Sequence, residues 1–209
     1  MIRILNRLQN LLDSTRAIDF LAPLALRLFL APVFILAGSN KLAHAESLAP
    51  YFESLGIPAP ELMVYVAGLT ELIGGIGLLA GLAVRWLAIP LMFTMLVAAT
   101  TAHWENGWHA LPETELTMPW EWRTDIIEAA NIRKHKARDI LREHGNYSWL
   151  TEHGGITVLK NGIEFAATYF IMLLVLFFIG AGRYCSIDYW IARRWKHPAT
   201  TGHLDNHYH

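Results

Sequence analysis

The sequence predicts an all-α membrane protein, a four-transmembrane-helix bundle with an extracytoplasmic loop that contains an amphipathic helix. Hydrophobic residues make up 54% of the 209-residue chain, and its mean hydropathy is +0.30. Four apolar stretches approach the length that a bilayer requires, about 20 residues. Charged residues, 17% of the total, are nearly absent from those stretches. Because a soluble domain carries about 25% charged residues, this pattern excludes a disordered chain and an ordinary soluble enzyme.

The predicted membrane domain covers residues 21–182. Its spans lie at about 21–38, 62–83, 86–102 and 163–182. Each span is apolar around its whole circumference, whereas a soluble helix has one apolar stripe. We expect a cytoplasmic amphipathic segment at 1–20, an outer loop at 103–160 and a cytoplasmic tail at 183–209. Because few residues join the second and third spans, these two form a tight antiparallel hairpin.

The net charge and the cysteine content bear on which partners the protein binds and on the compartment it faces. The net charge of −1 gives no reason to expect nucleic-acid binding. Cys185 is the only cysteine, so the compartment must follow from topology. Basic residues near span ends favour the cytoplasmic side. Arginines precede the first span and follow the second and fourth, whereas only Lys41 and Lys160 lie near span ends on the other side. Both termini are therefore predicted in the cytoplasm.

Glycines in the second span predict close helix packing. Gly77 and Gly81 form a GxxxG pair, and Gly74 and Gly75 lie nearby. Without side chains, these positions let a neighbouring backbone approach.

The outer loop is too long for a simple bundle connection, so it is predicted to be structured or functional. Five of the eight tryptophans fall in it, and tryptophan near a span end is typical of the lipid–water interface. From about 122 to 144 the pattern is amphipathic, with Ile126, Ala130 and Ile140 on one face. We predict a helix that lies on the membrane or caps the bundle, with a lid over a ligand site as a further alternative.

Two charged residues, Arg27 and Glu71, interrupt the first and second spans. A charge at the bilayer centre costs at least about 3 kcal/mol on insertion scales, so such residues are functional candidates. We expect both to turn into the bundle, where they face each other or share polar neighbours. The alternatives are a structural ion pair that fixes helix register and a functional site.

A second polar group gathers at the outer ends of the spans. Lys41 ends the first span with His44 following, His103 ends the third, and Asn161 and Glu164 begin the fourth. Together they outline a polar funnel that opens outward, with Lys41 and His103 available to an anion, a quinone carbonyl or a proton. Each residue alone is typical of an interfacial cap, but their convergence predicts a functional cavity.

The ten histidines do not lead us to predict a metal site. No HExxH pair occurs, and cysteine ligands are lacking. His103 and His109 flank Glu105 and could meet in the loop. Four histidines of the tail are expected to bind transition metals only opportunistically: His197, His203, His207 and His209. No GxGxxG after a strand, Walker loop or GxSxG motif is found, so nucleotide-driven transport is unsupported.

Several short motifs, taken in order, resemble the DoxX family of bacterial four-helix membrane proteins. They are Leu26-Arg27-Leu28, Ala37-Gly38-Ser39-Asn40-Lys41-Leu42, Gly68-Leu69-Thr70-Glu71-Leu72-Ile73-Gly74-Gly75, His103, Asn161-Gly162-Ile163-Glu164 and 180–188. The resemblance covers about 20–190, except for the outer loop, which is much longer than in the family.

The resemblance implies a location in the bacterial inner membrane. The positions it marks are Arg27, Lys41, Glu71, Glu164 and Asp188. Relatives include a thiosulfate:quinone oxidoreductase subunit and proteins linked to redox homeostasis, while many members have no assigned activity. Asp188 is alternatively the N-cap of the helix that follows, with Ser186 as another possible cap.

Two functional hypotheses follow. In the first, the protein supports redox chemistry by passing electrons from an outer-side substrate to membrane quinone, alone or with a partner subunit. Its catalytic residues would be Glu164, His103 and Lys41, and its cofactor-binding residues Arg27, Glu71 and Asn161. In the second, it is a non-catalytic scaffold or small-solute carrier that docks a periplasmic partner. Lipid is a partner in both, and a homo-oligomer remains open.

Overall fold

A computed structural model describes residues 6, 9–10, 12–111, 116–157 and 160–195. Its helices are α1 (Leu21–Ala43), α2 (Ala45–Ser54), α3 (Pro60–Ala80), α4 (Val84–Val97), α5 (Asp125–His144), α6 (Tyr147–Leu150), α7 (Glu164–Ile179) and α8 (Ile187–Trp195). Within these described ranges no strand occurs, which confirms the all-α prediction. The histidine tail lies outside the described residues, as do residues 1–5, 7–8 and 11 of the predicted segment 1–20.

Among the described residues, three helices are long and apolar enough to cross a membrane. They are α1, α3 and α4, the last continued by a π-helical turn (Ala98–His103) and a short turn (Trp104–Asn106). The fourth predicted span is shorter than expected. α7 has 16 residues and ends at Ile179, since Gly180 leaves the helical conformation with φ of +77°. At 1.5 Å per residue it is about 24 Å long, against roughly 30 Å of hydrocarbon core.

The four apolar helices pack around one core. α1 packs mainly against α3, and α4 packs against both α7 and α3. Fully buried side chains from all four meet there: Leu30, Phe34, Leu78, Leu91, Leu173 and Leu176. On the surface of the bundle, apolar side chains are exposed, and among them Leu36 and Phe178 each have 70% of their surface exposed. An apolar exterior around an apolar core is what lipid contact requires.

α1 and α3 approach most closely at glycines. A Cβ on Gly38 would lie 2.5 Å from the Leu72 backbone nitrogen, and one on Gly75 would lie 2.8 Å from the Ile35 nitrogen. The prediction of close backbone packing at Gly75 is therefore confirmed, but the GxxxG pair does not form such a contact. A Cβ on Gly77 would meet a side-chain atom of Leu87, and Gly81 ends α3 with φ of +69°.

The α3–α4 connection is the predicted tight hairpin. Its last residue, Ala83, has φ of +50°. The Asp188 carboxylate accepts hydrogen bonds from the backbone N–H groups of Ala83 (2.7 Å) and Val84 (3.1 Å). Asp188 therefore caps α4 rather than its own helix, and Ser186 caps α8 by accepting from the Tyr189 N–H (3.2 Å).

The outer loop contains the predicted amphipathic helix, α5. It begins at Asp125 and ends at His144, close to the predicted bounds. Its placement on the membrane surface remains a prediction.

Candidate functional site

Arg27 is buried inside the bundle, as predicted, with 1% of its surface exposed. Its guanidinium donates to four backbone carbonyls: Leu78 (2.7 Å), Ala181 (2.7 Å), Leu79 (3.1 Å) and Cys185 (3.1 Å). The last turn of a helix leaves carbonyls without helical partners, and the planar guanidinium has enough donors to satisfy several of them. Arg27 therefore ties the end of α3 to the segment that follows α7.

The expected contact between Arg27 and Glu71 is wrong. Both side chains turn inward, and Glu71 is 3% exposed, but they have different partners. The Glu71 carboxylate accepts from the Lys41 ammonium at 2.6 Å, which links α3 to α1. Both charges lie inside the bundle, as the sequence predicts. The sequence does not predict their counter-ions, because Lys41 at the end of the first span is equally typical of an interfacial residue.

The Lys41–Glu71 pair lies in the wall of a cavity of about 790 Å³. The cavity is bounded by α1, α2, α3, α4 with its π-helical turn, and α7. Most of its lining is apolar or aromatic, including Phe34, Phe93 and Phe165. An apolar cleft with a few convergent polar groups is typical of a small-molecule site.

His103 is the third predicted site residue that lines the cavity. Its Nδ1 lies 2.9 Å from the Asn161 carbonyl oxygen. Because a carbonyl only accepts, Nδ1 must carry the proton, and Nε2 is left as the nitrogen that can take up another. Asn161 adopts a left-handed φ of +61°, and the same carbonyl also accepts from Asn106 Nδ2 at 3.2 Å.

Three other predicted residues lie outside the cavity lining. Glu164 accepts from the Ala110 backbone N–H at 2.9 Å, and its carboxylate lies 3.9 Å from His109 Nδ1. Asn161 does not line the cavity, and it is connected to it by the hydrogen bond that its backbone carbonyl accepts from His103. Arg27 lies among the carbonyls described above. Of the predicted funnel, the structure thus brings Lys41 and His103 together with Glu71, and their catalytic and cofactor-binding roles remain predictions.

Sequence reasoning missed the contribution of α2 and of hydroxyl side chains. Tyr51, from α2, and Tyr169, from α7, line the cavity together with Thr70, Thr94 and Thr101. The adjacent Tyr51-Phe52 aromatics, just after the first span, were the available signal. Nothing local in the sequence says that α2 turns back to pack on α3.

A buried ion pair in the outer loop was also missed. Lys160 Nζ lies 2.6 Å from the Glu121 carboxylate, and the two side chains are 2% and 0% exposed. Glu121 also accepts from the backbone N–H groups of Trp108 (3.1 Å), His109 (3.4 Å) and Arg123 (2.8 Å). Through Glu121, these contacts join the start of the loop, at Trp108 and His109, to Lys160 in the segment that precedes α7.

These contacts decide the ionisation of Glu121. Burial alone favours the neutral acid. Hydrogen bonds from Lys160, Arg123 and Trp108, with the charge of Lys160, outweigh it and lower the pKa of Glu121 below its ordinary value. Glu121 is therefore a carboxylate at neutral pH.

Among the described residues, no three or more His, Cys, Asp and Glu side chains come together in a way that could hold a metal ion.

Residues 22–104 match the family model described as DoxX. Over these residues, about two fifths of its length, the chain is similar to the DoxX family. The matched residues supply all the lining residues of the cavity except Phe165, Ala166 and Tyr169. The remaining walls, and all of the outer loop after residue 104, lie outside the matched residues.

Two curated proteins are similar to part of the chain. "Uncharacterized membrane protein Rv3486" of Mycobacterium tuberculosis is 34% identical over 76 residues, which are 36% of this chain and 47% of that protein. "Putative oxidoreductase CatD" of Bacillus subtilis is 33% identical over 78 residues, which are 37% of this chain and 57% of that protein. The chain thus spans about half the length of these relatives. No solved structure matches it.

Proposed function

We propose that this DoxX-family membrane protein supports membrane redox chemistry by binding a quinone in the cavity beside Lys41, Glu71 and His103. One observation carries the proposal. The cavity is apolar over most of its wall, as a quinone ring and tail require. It also holds an ammonium that can donate to a headgroup carbonyl and an imidazole nitrogen that can exchange a proton. The name of the Bacillus subtilis relative also supports an oxidoreductase role.

Each polar residue has a distinct role in this proposal. Reduction of a quinone consumes electrons and an equal number of protons. Lys41 donates to a quinone oxygen, Glu71 holds the Lys41 ammonium, and His103 exchanges protons through Nε2. The electrons come from a reduced substrate on the outer side, directly or through a partner subunit. Asn161 and Glu164 position His103 and the loop, and Arg27 stabilises the opposite end of the bundle.

Direct binding tests the proposal. The full chain in lipid nanodiscs is titrated calorimetrically with a short-tailed quinone such as decylubiquinone, with empty nanodiscs as the blank. Lys41→Met and His103→Phe are each expected to weaken binding at least tenfold. The matched control is Glu61→Gln, an exposed acid of the same helix as Glu71, which should leave affinity unchanged. Wild-type protein that does not bind the quinone would exclude this proposal and favour the non-catalytic scaffold or carrier.

We further propose an inner-membrane location with both termini in the cytoplasm and α7 as a fourth span. The short α7 is compatible with spanning, because a bilayer thins locally around a short apolar helix. A reporter fused after His209 should be cytoplasmic, and one inserted at Glu115 should be periplasmic. A periplasmic signal from both fusions would mean that α7 does not cross.

A further inference from the structure

A second pocket, of about 530 Å³, lies on the outer side, between residues 105–106, the first turns of α5 and Lys160. It shares no lining residue with the cavity described above. One wall is charged or polar. The other consists of Ile126, Ala129 and Ala130, on one face of α5. A pocket with these two walls suits a small molecule that has a charged end and a short apolar body.

Lys160 supplies a buried donor to this pocket. Its side chain is 2% exposed, and its Nζ bonds Glu121 at 2.6 Å. An ammonium carries three protons, and within the described part of the chain this is the one hydrogen bond that Nζ makes. A buried donor without acceptors is costly, so the remaining protons favour a ligand oxygen.

Arg133 supplies the positive charge. The other lining arginine, Arg123, is neutralised by Asp125, which accepts from Nε at 2.9 Å and from Nη2 at 2.8 Å. In the described ranges, Arg133 has no carboxylate within ion-pair distance. Glu105 also lines the pocket without an ion-pair partner among these residues, and its charge opposes an anion.

We propose that this outer pocket binds a small organic carboxylate. Its carboxylate accepts from Lys160 and Arg133, and a guanidinium matches the planar carboxylate geometry well. Its carbon chain packs on Ile126, Ala129 and Ala130. An inorganic oxyanion would leave this apolar wall unused. Glu105 at the same pocket lowers the affinity and disfavours a second negative charge on the ligand.

The pocket is joined to the cavity by hydrogen bonds. Asn106 lines the pocket and donates to the Asn161 carbonyl at 3.2 Å, and that carbonyl also accepts from His103, which lines the cavity. A carboxylate bound in the pocket therefore lies next to the group that orients His103. This link between the two sites rests on the proposed quinone function, whereas carboxylate binding does not.

The test is a calorimetric titration of the full chain in nanodiscs with acetate, butyrate, hexanoate and sulfate, corrected with empty nanodiscs. Affinity should rise with chain length by up to about fourfold per buried CH₂ group, and sulfate should bind more weakly than butyrate. Arg133→Gln should weaken butyrate binding at least tenfold, and Glu105→Gln should tighten it about threefold by removing an opposing charge. The matched control, Lys136→Gln, changes an exposed residue of the same helix outside the pocket and should have no effect.

Equal affinity for acetate and hexanoate, or butyrate binding unchanged in Arg133→Gln, would overturn the proposal. Arg133 and Glu105 are both exposed. The helicity of Arg133→Gln and of Glu105→Gln, measured by circular dichroism, should therefore match that of the wild type. Titration of the same samples with decylubiquinone separates the two sites. If the wild type binds decylubiquinone but no carboxylate, only the proposal of the outer pocket is rejected. If it binds the carboxylates but not decylubiquinone, only the proposal of the quinone site is rejected.

Discussion

The Lys41 ammonium meets the Glu71 carboxylate at 2.6 Å across the α1–α3 interface. The contact depends on how closely the two helices pack. Gly38, three residues before Lys41, touches the backbone of α3 at Gly68 and Leu72. Because Lys41 and Gly38 share a face of α1, the close approach at Gly38 brings the ammonium within reach of Glu71.

Removing one member of this pair should cost more than removing both. Lys41→Met leaves the Glu71 carboxylate buried without a counter-charge, which costs about 3–5 kcal/mol of unfolding free energy. The double variant Lys41→Met/Glu71→Leu leaves no unpaired charge and should recover most of that loss. Urea or thermal unfolding in detergent measures the difference. Additive losses in the double variant would show that the pair has no energetic coupling.

The Gly38 contact should not tolerate a side chain. A Cβ there would lie 2.5 Å from the Leu72 nitrogen and 2.6 Å from the Gly68 oxygen, both backbone atoms that cannot rotate away. Gly38→Ala should therefore separate α1 from α3 and destabilise the protein by about 1–3 kcal/mol or more. Ser39→Val, at the exposed neighbouring position, is the control. A Gly38→Ala variant as stable as the wild type would contradict the packing.

Arg27 should be required for the bundle rather than for ligand binding. Arg27→Met removes the donors to four carbonyls, and each buried acceptor left unsatisfied costs about 1–3 kcal/mol. Arg27→Lys, with fewer donors, should be intermediate in thermal stability, and exposed Arg16→Met should have no effect. Gly81→Ala should resemble Arg27→Met, because its Cβ would lie 2.6 Å from Arg27 Nη2.

Those variants that remain folded provide the decisive readout for Arg27. If Arg27 is structural, quinone affinity in nanodiscs should stay within about twofold of the wild type at a temperature where the variant is folded. A tenfold loss of affinity with unchanged stability would instead assign Arg27 to the ligand site.

The outer loop should loosen in acid. The pKa of Glu121 is lower in the folded protein than its unfolded value of about 4.3. Its stabilising contribution is therefore fully present above that unfolded value and is lost as the pH falls through the lowered folded pKa. The Trp108 and Arg123 amides donate to Glu121. Their protection against hydrogen exchange, taken relative to the intrinsic exchange rate at each pH, should fall in that acid range.

Glu121→Gln is the control for the acid effect. It should raise exchange at these two amides already at neutral pH and remove the pH dependence, apart from the intrinsic exchange rate. Identical pH profiles in the variant and the wild type would mean that another group controls the loop.

The sequence by itself determined the class and the membrane segments. Helical length and the near absence of charge predicted α1, α3 and α4, because a bilayer permits few other structures. It also predicted that Arg27 and Glu71 turn inward, since lipid does not solvate a charge. The end of α7 was predicted less well, because hydropathy is insensitive to the backbone conformation of Gly180.

Only the tertiary structure decided which polar groups meet. Lys41, rather than Arg27, is the counter-ion of Glu71, because the helix crossing at Gly38 sets which side chains come within reach. The cavity arises where α2 folds back along α3, and the Glu121–Lys160 pair joins residues that lie far apart in the chain. Such contacts depend on angles and registers between elements, and local patterns of hydropathy and charge do not encode those quantities.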